Sequence, residues 1–122
     1  MDKNKLVSEA KKSLYAIRMY AGPLDISKIT DKWPDVIDSV LAEDDEKFRE
    51  DISHIICLPL VYIAEALTER LRMFANDTRY DNLERIVNNY KLHPLETKTL
   101  LVEFCNMKVD ELKRHGVEVP KI

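Results

Sequence analysis

The stretch Ile55-Ile56-Cys57-Leu58-Pro59-Leu60-Val61-Tyr62-Ile63-Ala64 decides how this chain folds. It is apolar on every side of a helix, not along one stripe. A helix apolar all round must be surrounded. The run is about half of the roughly 20 residues that a bilayer span needs, so the cover is expected from protein. Either the other helices of the same subunit wrap it or a second subunit covers part of it. Pro59 removes a backbone hydrogen bond and crowds the preceding turn, which predicts a kink or a break there. The reading that follows is all-α: a single-domain bundle of five or six helices around this central apolar helix, with Ile52–Phe74 innermost.

Moving outward, the flanking segments carry ordinary amphipathic stripes. In the first helix, expected from about Asp2 to Tyr20, Leu6, Ala10, Leu14 and Ile17 recur at three- and four-residue spacing. Gly22-Pro23 reads as its stop, with glycine in the left-handed position after the helix. A weak helical turn is expected near Ile26–Asp31. A second helix from Pro34 to about Glu43 would bury Val36, Ile37, Val40 and Leu41. The acidic run Asp44–Asp51 suits the positive end of the next helix dipole. Further on, Thr78 with Asp81 resembles a capping box for a helix that starts near Tyr80 and buries Leu83, Ile86, Val87 and Tyr90. His93-Pro94 opens the last helix, which turns Leu101, Phe104, Cys105 and Leu112 inward and ends at Gly116. Residues 1–116 form the expected domain and 117–122 an extended tail.

Composition agrees with the all-helical reading. Only 2 of 122 residues are glycine, against a usual ~7%. Sheet proteins spend glycine at tight hairpin turns, whereas helices need it mainly at their C-terminal ends. The charged fraction of 34% with 45% apolar residues describes a well-solvated surface over a real core. A net charge of −3 disfavours a protein built chiefly to bind phosphate backbones, which carries a basic excess. The N-terminus lacks an apolar signal core. Cys57 and Cys105 lie within helical apolar patterns, as reduced, buried thiols do. A cytoplasmic location is expected, with no membrane association.

Few residues offer chemistry. Two glycines cannot build a phosphate-cradling loop. Glu50, His54 and Cys57 share a helix face at i, i+4 and i+7, but a closed metal site needs a fourth ligand. No metal or other cofactor is expected. Cys57 has His54 one turn away, yet a nucleophilic thiol also needs an electropositive setting.

Arg49 and His54 are spaced R-x4-H, which resembles the motif of the HEPN superfamily of helical, metal-independent ribonucleases. The resemblance implies a homodimer in which Arg49 and His54 meet their symmetry mates in a cleft. There they would handle protons and developing phosphate charge during RNA cleavage. The motif departs from the family pattern, since it sits mid-chain and Glu50 follows the arginine. A five-residue offset also turns about 140° on a helix. The preferred reading of the spacing is a surface arginine in an acidic run and a histidine at the core edge.

The other concentration is Arg70, Arg72, Arg79 and Arg85, four of seven arginines within sixteen residues, accompanied by Tyr80 and Asn89. Such residues make adaptable recognition surfaces, although Glu69, Asp77, Asp81 and Glu84 interleave with them. By elimination, the expected function is non-catalytic: a protein–protein interaction module that binds a protein partner through Arg70, Arg72, Arg79, Tyr80, Arg85 and Asn89. Small acidic helical chains of this style are frequent among bacterial and phage accessory factors such as inhibitors, immunity proteins and antitoxin-like partners. The HEPN-like ribonuclease is the enzymatic alternative. A helical nucleic-acid-binding factor using the arginine cluster is the third.

Overall fold

A computed structural model describes residues 2–24, 33–74 and 80–122. Among them are five helices and no strand: α1 (Lys3–Leu24), α2 (Trp33–Leu41), α3 (Asp45–Arg72), α4 (Tyr80–Val87) and α5 (Pro94–Arg114). The all-α class stands. The helix α3 packs against α1 and α5, and also touches α2 and α4. Its most apolar 18-residue window is 61% buried inside the fold, so the segment is covered largely from within the chain. Ile56, Leu60, Ile63, Ala64 and Leu67 are fully enclosed, while Tyr62 reaches solvent.

Of the two outcomes expected at Pro59, the break is excluded, because α3 runs through it from Asp45 to Arg72. Neighbouring helices attend to the backbone there. Ser13 on α1 donates its hydroxyl to the Ile56 carbonyl at 2.7 Å, and Cys105 on α5 directs its thiol at the Leu60 carbonyl at 3.7 Å. Proline strips one hydrogen bond from a helix, here the one to the Ile55 carbonyl; the two donors bind other carbonyls of the same stretch and tie it to α1 and α5.

The acidic start of α3 behaves as expected. Asp44 is the N-cap and accepts from the Lys47 amide at 3.0 Å, with Asp45 and Glu46 in the first turn. At the end of α5, Gly116 takes φ +81°, the Gly116 amide bonds the Lys113 carbonyl, and the Val117 amide bonds the Leu112 carbonyl. These are the paired bonds of a Schellman cap.

The start of the chain corrects one expectation. Helix α1 does not stop at Gly22-Pro23 but continues to Leu24. Gly22 is not left-handed. Proline in a last turn costs one hydrogen bond, and buried Tyr20 holds that turn by donating its hydroxyl to the Pro120 carbonyl. Helix α2 corrects another. Ile37 and Val40 are buried, but Val36 and Leu41 are 42% and 38% exposed, since nine residues present only a narrow stripe to the core. The turn expected at Ile26–Asp31 and the cap residue Thr78 lie outside the described residues.

Residues 117–122 carry no regular secondary structure and fold back on the helices. Asn106 exchanges two hydrogen bonds with the Ile122 backbone, at 2.9 and 3.4 Å, and Lys121 pairs with Asp110 at 2.9 Å. Val117, Val119 and Ile122 pack against the core.

Candidate functional sites

Two regions gather the residues singled out from sequence. The first lies along the N-terminal half of α3. His54 is half-buried, and both ring nitrogens are engaged: Nδ1 faces the Glu50 carbonyl at 3.0 Å and Nε2 faces the Tyr90 hydroxyl at 2.9 Å. A carbonyl only accepts, so Nδ1 carries a proton. In the neutral ring Nε2 then accepts from Tyr90. The rings also meet edge to face at 5.1 Å. One turn either side, Glu50 pairs with Lys91 at 3.3 Å, and the Cys57 thiol reaches the Pro94 carbonyl at 3.5 Å. The face of Glu50, His54 and Cys57 is therefore where the α4–α5 connection docks. Arg49 is exposed, and among the described residues its side chain makes no hydrogen bond or ion pair. No bond joins it to His54.

Neither thiol is poised as a nucleophile. Burial pushes Cys57 up to about 12, only partly opposed by the nearby Lys98 charge. Burial does the same to Cys105. Such thiols stay protonated at neutral pH.

Beside His54 runs a groove of about 410 Å³ between α2 and α3, lined by Val36, Val40, Ile55, Glu43 and Asp51. The Glu43 Oε2 atom is buried without a hydrogen-bond partner, and Oε1 lies 3.8 Å from Lys47 Nζ. Desolvation, then the adjoining Asp51 carboxyl, raise Glu43 above the ordinary carboxylate range.

The second region is the arginine cluster, and the structure divides it. Arg72 pairs with Glu69 at 3.0 Å along α3. Arg70 is exposed on the last turn of α3. Asn89 is exposed in the turn after α4, where its carbonyl accepts from the Leu92 and His93 amides. Tyr80 begins α4, and Arg79 lies outside the described residues. Arg85 borders a concave surface. It lines a groove of about 320 Å³ between α4 and α5 with Ile86, Leu100, Glu103, Phe104, Met107 and Lys108.

This groove is the feature that sequence reasoning missed. Leu100 and Met107 are 47% and 58% exposed on α5, with Phe104 buried between them at 8%. The Lys108 ammonium sits 5.2 Å from the Phe104 ring centroid. The seven-residue spacing of Leu100 and Met107 is present in the sequence, but one helix can carry two apolar stripes, and the spacing alone does not tell the outer from the inner. Compared with known protein families, curated proteins and solved structures, the chain matches none of them.

Proposed function

We propose that this protein is a non-catalytic interaction module that binds a protein partner through the α4–α5 groove. The observation that carries the reading is the exposed apolar stripe of Leu100 and Met107 beside Arg85. Contiguous exposed apolar surface rimmed by charge is the usual mark of a protein contact, and arginine is enriched at such contacts. Arg85 is the member of the sequence-derived set that this surface employs. An accessory factor of the inhibitor, immunity or antitoxin-like kind, working in the cytoplasm, fits a chain whose two cysteines are free and buried. The frame of the module is a bundle of five or six helices centred on α3 and bent at Pro59. Support for that arrangement comes from the proline inside α3 and from the packing of α1, α2, α4 and α5 on that helix.

A photo-crosslinking amino acid placed at Met107, with one at the more exposed Tyr15 as control, tests the reading in the source cell. Adducts of defined mass from position 107, absent from position 15 and lost in Arg85→Glu, are expected. Equal labelling at the two positions, or none at 107, would overturn it.

A further inference from the structure

We propose that the partner seated on the α4–α5 groove is a second copy of this chain, related by a twofold axis that runs along α5. The inference rests on reading that groove as a protein contact. It follows from how charge is arranged across the stripe. On a helix, with 100° per residue, Met107 lies 20° from Leu100 to one side and Phe104 lies 40° to the other. Glu103 falls 60° away on the Met107 side. Lys108, 80° away on the Phe104 side, is buried. Glu103 also lines the neighbouring groove shared with Lys5 and Glu9 of α1, so it stands on the rim away from α4. Arg85 belongs to α4 and stands on the opposite rim. The stripe thus has an acid on one bank and a base on the other. Among the described residues neither Arg85 nor Glu103 forms an ion pair.

A twofold axis along α5 exchanges the two banks. It carries Glu103 of one copy toward Arg85 of the other, twice, while Leu100 and Met107 meet their symmetry mates. A twofold perpendicular to α5 would instead place Glu103 beside Glu103 and Arg85 beside Arg85, and like charges at an interface disfavour it. The surface is therefore complementary to itself in one orientation, which is the requirement for an isologous dimer. The apolar stripe supplies the burial, and the two crossed ion pairs choose the register, since rim charges contribute more to specificity than to affinity.

The test is sedimentation equilibrium of the full chain across a wide concentration range, with circular dichroism to verify that each variant folds. The wild type should dimerise. Arg85→Glu and Glu103→Arg should each weaken dimerisation at least about tenfold, because each sets like charges together. The double exchange should return affinity to within a few fold of the wild type. Dimerisation indifferent to both substitutions would place the interface elsewhere and overturn the proposal. A wild type that stays monomeric at every concentration would also overturn it. That second result leaves the crosslinking at Met107 to decide whether the groove serves a different protein.

Discussion

The two sides of α5 treat their polar groups in opposite ways. Toward α1, Lys98 donates to the Glu9 carboxylate at 2.6 Å and to the Glu9 carbonyl at 3.0 Å. That pair is mostly shielded, with side chains 12% and 24% exposed. Toward α4, Arg85 and Glu103 border the same groove, and Leu100 and Met107 stand in solvent. On the first side the Lys98–Glu9 pair is spent on holding the fold. On the second, Arg85 and Glu103 are left without such a bond among the described residues. The difference teaches where to look for function: in what the fold leaves over.

The largest effect should come from the enclosed segment. Leu60→Ala removes a fully buried side chain at the centre of α3 and should cost about 2–5 kcal/mol in urea unfolding. A cost under 1 kcal/mol would mean that α1 and α5 do not close on α3 as described.

Next, Lys98→Ala leaves a shielded Glu9 with only its exposed partner Lys12 and should cost about 1–2 kcal/mol. The Lys98 hydrogen bond holds Glu9 below its ordinary value. Stability from this pair is present above the ordinary carboxylate range and is lost as pH falls through the lowered folded value. Glu43 has the opposite sign. Its raised folded value gives a contribution present below the ordinary range and lost as pH rises through it. Unfolding measured against pH should therefore become less acid-sensitive in Glu9→Gln and less sensitive to rising pH in Glu43→Gln. Identical profiles for the two variants would contradict the contrast.

A smaller effect is expected from His54→Ala, about 1 kcal/mol from the lost Tyr90 hydrogen bond. Hydrogen exchange should speed up locally in residues 88–93 and little elsewhere. Unchanged protection there would mean that His54 does not clasp the α4–α5 connection.

Much of the fold was legible in the sequence, because apolar spacing and terminal caps are local. The start of α3 at Asp44 and the stop at Gly116 follow from their neighbours. Where distant partners intervene, local rules mislead. Gly22-Pro23 is a strong stop signal, yet Tyr20 is held from Pro120, a hundred residues away. The candidate sites were less legible for the same reason. Nothing near His54 in sequence announces Tyr90, and nothing near Arg85 announces the groove it lines.

The central claim is that the Leu100–Met107 stripe belongs to a contact between molecules and not to the core. Thermal unfolding of the Leu100→Ser, Met107→Ser double variant, at several protein concentrations, tests it most directly. Association stabilises the bound state by mass action, so the wild-type midpoint should rise with concentration. The variant should match the wild type at high dilution, within the roughly 0.5 kcal/mol usual for a surface change, and show no rise. A variant destabilised by several kcal/mol at every concentration would show that the stripe is core and contradict the account.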